Sequence, residues 1–287
     1  MFFHGRRGKI DYLLVACTVL LIMFGLAMLS SASSNLGKSK YGDSWYYLKH
    51  QIVYGLSFGI VGFFAALAIP SRWYERSAPW LLVASIVLLI LVFTPLGMHA
   101  KGAARWLSLG PLTFQPSEFL KITFILYLAA WLAKKNERQQ SIKRGLIPLL
   151  AVVALIGGLL IKQPATSTVA ILVATGLIVY FISGAKISHV AAIVAAGALS
   201  LLIIAYATPY RWQRIMTFLQ PENNLQTSGF HINQALIAIG SGGLTGVGYG
   251  RSTTKISFLP EPVGDSIFAV VAEEFGFVGS LALISLF

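Results

Sequence analysis

TSTVAILVATGLIVYFISGAKISHVAAIVAAGALSLLIIAYA, residues 166–207, is a stretch that water would not hold. Its sole charged side chain is Lys186, and only Ser183-Gly184-Ala185-Lys186 breaks its apolar character. A helix needs about 20 apolar residues to cross the hydrocarbon core of a bilayer. The stretch is therefore expected to form two membrane-crossing helices, 166–183 and 187–207, joined by a tight turn. Applied outward, the same criterion finds further spans at 10–31, 51–69, 79–94, 117–133, 145–161 and 266–287. The expected fold class is an all-α, polytopic membrane protein with eight spans.

Composition points the same way. Hydrophobic residues make up 56% of the chain and charged residues 11%, against about 25% charged in an ordinary soluble domain. The net charge of +12 does not indicate nucleic acid, because the basic residues lie in short clusters between apolar runs. There they meet membrane lipid head groups and set topology. The one cysteine, Cys17, excludes an intrachain disulfide. The first apolar run, Ile10 to Leu29, is longer than the 7–15 residues of a signal-peptide core, so an uncleaved first span is expected.

Arg6, Arg7 and Lys9 precede span one, Arg72 and Arg76 follow span two, and Lys134, Lys135, Arg138, Lys143 and Arg144 follow span four. With alternating spans these clusters share one side, which the positive-inside rule makes cytoplasmic, along with the N-terminus. The opposite side holds the unusual sequence, in loop 95–116 and in a long loop, 208–265. It also keeps basic residues against the rule, and an anionic ligand would explain them. No internal repeat is visible, and 1–287 reads as a single transmembrane domain. Within loop 208–265, the apolar stretch Ile232 to Ile239 is expected to be a helix at the interface or dipping into the membrane.

Asp265, in FLPEPVGDSIFAVVAEE, stands at the start of span eight on the outer side. It reads either as an N-cap accepting backbone N–H groups or as a carboxylate doing chemistry at the membrane surface. Glu273 and Glu274 lie about 12–14 Å further along that helix. Ionisable groups at such depth are either structural partners of a basic residue or functional. Glu118 and Lys121, in QPSEFLK, are three apart on one helical face and read as an intramembrane ion pair. Lys101 and Arg105 flank a Gly-Ala segment, and Arg211 and Arg214 straddle Trp212 and Gln213. These pairs, with Lys255, suit phosphate or pyrophosphate binding, or else plain interfacial snorkelling. The glycine run SGGLTGVGYG, 241–250, could cradle phosphates or simply turn. No His or Cys metal cluster, GxSxG or Walker motif occurs.

KGAARWLSLGPLTFQPSEFLK (101–121), PYRWQRIMTFLQPENN (209–224), HINQALIAIGSGGLTGVGYG (231–250) and KISFLPEPVGDSIFAVVAEEFGFVG (255–279) occur in this order. Together they resemble the SEDS family of bacterial cell-wall proteins, RodA, FtsW and SpoVE. The second and third motifs look more like the FtsW branch than the RodA branch. The resemblance implies a glycosyltransferase that polymerises lipid II, an undecaprenyl-pyrophosphate-linked disaccharide peptide, on the outer face of the bacterial cytoplasmic membrane. It also implies a class B penicillin-binding protein as cross-linking partner. Asp265 matches the aspartate that the family's LPE-x-x-x-D motif uses as catalyst. Lys101 and Arg105 match its KG-x-x-RWL motif, and Glu118 and Lys121 its PSE-x-x-K motif. A divalent cation, Mg or Mn, is a second way to neutralise the leaving pyrophosphate.

There are departures. Ala165 stands where the family often has an aspartate, and Val263-Gly264 replace the usual His-Thr before Asp265. The family has ten spans, so eight imply a C-terminal truncation. Two rival functions follow from the same residues. A lipid II flippase would line a polar path with Glu118, Lys121, Glu273 and Glu274, and a scaffold would not need Asp265.

Overall fold

A computed structural model describes residues 11–100, 103–109, 112–133, 139–163, 165–206, 212–213, 216–217 and 229–287. Helices stand at all eight expected spans: α1 (Tyr12–Tyr41), α2 (Tyr46–Ala68), α3 (Ser71–Leu91), α4 (Pro116–Ala133), α5 (Ile142–Lys162), α6 (Thr166–Ile182), α7 (Ile187–Tyr206) and, last in the chain, a helix over Ile267–Ser285. Six are long and apolar enough to cross a membrane. The exceptions are α6 and α7, whose apolar stretches, Thr166–Ile182 and Ile187–Ser200, are shorter. Between 229 and 266 the chain adds α8 (Phe230–Ser241) and the short α9 (Thr254–Ser257), so Ile267–Ser285 is α10. The protein is a multi-pass helical membrane protein.

Contacts gather the chain into two compact units. In the unit of residues 65–204, α3, α4, α5 and α6 share a core of Leu82, Leu89, Leu120, Phe124, Leu128, Ile156, Leu160 and Leu172. Lipid tails are as apolar as leucine, so helices in a membrane associate through close packing and polar contacts. Both are present. Gly176 of α6 lets Phe124 of α4 approach, since a Cβ there would lie 3.2 Å from its ring. Ser85 of α3 and Thr123 of α4 share a buried 2.7 Å hydrogen bond. Loop 95–116 holds an antiparallel meander, which helical reasoning did not anticipate: β1 (Gly97–Ala100), β2 (Ala103–Leu109) and β3 (Leu112–Phe114).

The other unit comprises residues 1–64 and 205–287. Here α1 runs ten residues past its expected end at 31, through Ser-, Asn- and Lys-rich sequence, to a left-handed Gly42 with φ 71°. Met28 and Ala32 of α1, Ala238 of α8, and Ala269, Val270 and Val271 of α10 form its core.

The deciding feature of this unit is a break in α10. Gly276 has φ 67° and ψ −163°, which removes the helical bonds from the 277 and 278 N–H groups back to the 273 and 274 carbonyls. The glycine-rich segment after α8 supplies all the replacements. Val247 N–H donates to Glu273 O (3.0 Å) and Gly248 N–H to Glu274 O (3.0 Å), while Phe277 N–H donates to Gly243 O (2.9 Å) and Val278 N–H to Leu244 O (3.1 Å). Gly276 is nine residues into α10, roughly 13 Å along its axis, so residues 243–248 reach the middle of the span. The expected outer loop 208–265 thus contains a re-entrant segment. Its N–H groups at 247 and 248 serve α10 and do not cradle phosphate.

The splice leaves no room for a side chain. A Cβ on Gly246 would sit 2.2 Å from Glu274 O, and one on Gly276 2.4 Å from Gly246 N. Gly276→Ala and Gly246→Ala are each expected to lower the protein's stability by about 2 kcal/mol or more, read as a fall in Tm in detergent. Gly264→Ala, with open space at its Cβ, is the control.

Candidate functional site

Asp265 rests on a stiff turn. Pro260 and Pro262 fix φ on either side of Glu261, which takes the left-handed φ of 49°. The Glu261 carbonyl accepts from Gly264 N–H (3.1 Å) and Ser266 N–H (3.2 Å), and Ser266 Oγ donates to Pro260 O at 2.7 Å. Buried Leu259 anchors the turn in the core with Met28 and Val270. The N-cap of α10 is Ser266 and not Asp265, and neither side chain caps the helix. Among the described residues, Asp265 has no hydrogen-bond or ion-pair partner, and it is exposed.

Val263 and Ile267, on either side of Asp265, line an apolar cavity of about 740 Å³ together with α1 and α2. The cavity exists because small residues face it, Gly25 on α1 and Gly55 and Gly59 on α2. Gln51 and Thr18 are its polar lining residues.

Below the turn, both intramembrane glutamates are buried. Glu274 Oε1 accepts from Lys255 Nζ and from Ser31 Oγ, each at 2.6 Å. Lys255 Nζ also donates to Ser31 Oγ (2.8 Å) and Gly250 O (3.0 Å). All three ammonium protons are engaged and the side chain is 6% exposed, so Lys255 is corrected from a phosphate contact to an internal counter-ion. Glu273 takes a different set of partners. It accepts from the Ser252 and Thr254 hydroxyls and from the Thr253 and Thr254 N–H groups.

In the 65–204 unit, Arg105 stands on β2, and its Nε donates to Gln163 O at the end of α5 (3.1 Å). Glu118 and Lys121 are paired at 2.8 Å, with 58% and 30% of their side chains exposed, so the pair is open to its surroundings and not enclosed. Ala165 begins α6 without a side-chain cap. Lys101, Arg211 and Arg214 lie outside the described residues. Among the described residues, no group of three His, Cys, Asp or Glu could hold a metal ion.

Sequence reasoning missed Ser31, Ser252, Thr253 and Thr254. Ser31 lies 224 residues from Lys255, and its one signal was the polar run Ser30–Asn35 at the end of an apolar span. The two ion pairs should respond differently to mutation. Lys255→Met or Glu274→Gln alone strands a buried group and is expected to cost about 3–5 kcal/mol. Lys255→Met with Glu274→Leu should recover most of that loss. Glu118→Gln should shift stability by less than about 1 kcal/mol. Thermal unfolding of the purified protein in detergent measures all four.

Residues 11–287 match the family model of the FtsW, RodA and SpoVE cell cycle proteins. A probable peptidoglycan glycosyltransferase FtsW from Saccharophagus degradans is 37% identical over 280 residues, which cover 97% of this chain and 72% of the relative. A chain of a peptidoglycan synthase complex, solved for its coordination of polymerization and crosslinking, superposes with a TM-score of 0.73 at 26% identity, covering 97% of this chain and 75% of that one. The rod shape determining protein RodA of Thermus thermophilus superposes with a TM-score of 0.65 at 26% identity, covering 98% and 73%. The helical membrane fold expected from the apolar runs is the fold of these structures, and the chain belongs to the FtsW/RodA/SpoVE family of cell cycle proteins.

Proposed function

We propose that this protein is a peptidoglycan glycosyltransferase that polymerises lipid II at the outer face of the bacterial cytoplasmic membrane, with Asp265 as general base. The carrying observation is an exposed carboxylate, unpartnered among the described residues, on a stiff turn at the start of a membrane span. A sugar hydroxyl is a poor nucleophile at neutral pH, and a positioned base contributes about 10²–10⁴-fold. Asp265 takes the hydroxyl proton as the oxygen attacks the anomeric carbon of the second sugar. The bond from that carbon to the pyrophosphate oxygen breaks, and the lipid pyrophosphate leaves with the electron pair.

The leaving group is an anion that gains charge in the transition state, so fixed positive charge stabilises it. By their sequence motifs alone, Lys101, Arg105, Arg211 and Arg214 are the basic residues assigned to it. A divalent cation, Mg or Mn, belongs to this proposal as a companion of the substrate's pyrophosphate. The apolar cavity lined by Val263 and Ile267 supports a substrate whose tail stays in the bilayer. The names of the relatives support the activity, and the synthase complex, which coordinates polymerization and crosslinking, supports a cross-linking partner, which we take to be a class B penicillin-binding protein. The basic loops support a cytoplasmic N-terminus. The internal bonding of Glu273, Glu274 and Lys255 speaks against the flippase reading, because groups so engaged do not line a path.

Asp265→Asn preserves size, and it removes no cap because Asp265 makes none. It is expected to fold and bind lipid II normally, yet to form glycan at least about 100-fold more slowly. Gel analysis of glycan made from labelled lipid II, with the partner protein present, reads the rate. A rate above about a tenth of wild type overturns the assignment.

A further inference from the structure

We infer that Glu273 is a positioning residue for Asp265: its buried carboxylate clamps the segment that ends in the base, and so sets where the base stands without touching substrate. This rests on the reading of Asp265 as general base. Glu273 is 2% exposed, and among the described residues no cation pairs with it. Its two oxygens instead gather three consecutive residues. Oε2 accepts from Ser252 Oγ at 2.7 Å and from Thr254 Oγ1; Oε1 accepts from Thr253 N–H at 3.0 Å and Thr254 N–H at 3.4 Å. A carboxylate with four donors has its lone pairs filled. It is therefore suited to holding backbone and not to carrying protons.

From that clamp to Asp265 the chain has little freedom. Thr254 opens α9, and its carbonyl accepts from Phe258 N–H (3.1 Å) and Leu259 N–H (2.8 Å). Leu259 is buried, and the two prolines and the Glu261 carbonyl fix the turn that follows. Both ends of the segment are thus tied to one helix. Its far end runs into α10 directly after Asp265. Its near end hangs on Glu273, six residues inside the same helix. Release of the near end lets the turn shift, and a misplacement of about 1 Å at a catalytic group can cost 10²-fold in rate.

The test is lipid II polymerisation by the purified protein with its partner, with kcat and KM determined for five variants. Glu273→Ala is expected to lower kcat about tenfold or more and to leave KM within about twofold, since the residue serves only the reacting geometry. Glu273→Gln should stay within about threefold of wild type. Its amide oxygen keeps the two N–H bonds, and its NH₂ donates to the Ser252 and Thr254 hydroxyls, which can rotate. If Gln is as impaired as Ala, Glu273 acts through its charge and the inference falls. It also falls if Ala retains wild-type kcat or loses KM alone.

Should Glu273→Ala fail to accumulate, Ser252→Ala with Thr254→Val removes two of the four bonds from the other side. The expected result is a kcat loss of about threefold or more, and a wild-type kcat overturns the inference. Asp265→Asn separates the two levels. A normal rate in that variant removes the base reading itself. Loss of activity there, with Glu273→Ala unaffected, removes only the clamp. Combined with Asp265→Asn, Glu273→Ala should add no further loss, because it positions a base already gone. A merely structural residue would lower both backgrounds equally, and that result also overturns the inference.

Discussion

Backbone groups inside a bilayer have no water to turn to, and each unpaired one costs several kcal/mol. The unit built on α1, α8 and α10 is a solution to that constraint. Gly276 interrupts α10 in mid-span, and the four groups it releases are paired one for one by residues 243–248. This fixes how deep the glycine segment must reach, and therefore where α8 must sit and where the chain resumes at Arg251. Glu273 and Glu274 are held twice over. Their carbonyls accept from the re-entrant segment, and their carboxylates hold residues 252–255. The same two positions thus join the splice in mid-membrane to the turn at its surface.

The charges divide by what surrounds them. Lys255 and Glu274 are almost wholly enclosed, which exacts a large desolvation cost from each ion. The arrangement offsets it with a 2.6 Å contact and with Ser31 and Gly250 as further partners. It gains little net stability over an apolar pair, yet it ties α1, α9 and α10 together, because Lys255 on α9 bonds both Ser31 of α1 and Glu274 of α10. Glu118 and Lys121, by contrast, are neighbours on one turn and partly exposed. They bring together nothing distant, and their pairing follows from helical geometry alone.

Much of this was legible in the amino-acid sequence. The eight helices were visible as apolar runs, and six of them are long and apolar enough to cross a membrane. The spacing of Glu118 and Lys121 was enough to pair them. Other features were hidden for identifiable reasons. Asp265 and Ser266 are both good N-cap residues, and only the turn geometry assigns the position to Ser266. Gly276, in FGFVG, looks like any glycine in a membrane helix until its φ is known. The meander of β1, β2 and β3 depends on register between residues such as Leu107 and Phe114, in sequence with little alternation. Lys255 looked like a phosphate ligand because its counter-ion lies 19 residues on and its hydroxyl partner 224 residues back. Local pattern carries no information about such contacts.

The contrast between Asp265 and the glutamates below it fits the role proposed for each carboxylate. A general base needs an available lone pair and a carboxylate not held ionised by a nearby cation, because a strong partner lowers its proton affinity. A structural carboxylate needs fixed partners instead. Glu273 has four donors, Glu274 has an ammonium and a hydroxyl, and Asp265 has none among the described residues. Freedom from partners would ordinarily leave a surface side chain loosely placed. Here the backbone around Asp265 supplies the order instead, through two prolines, a doubly bonded carbonyl and a buried leucine. Rigidity built into the main chain holds Asp265 in one place although, among the described residues, its carboxylate has no partner.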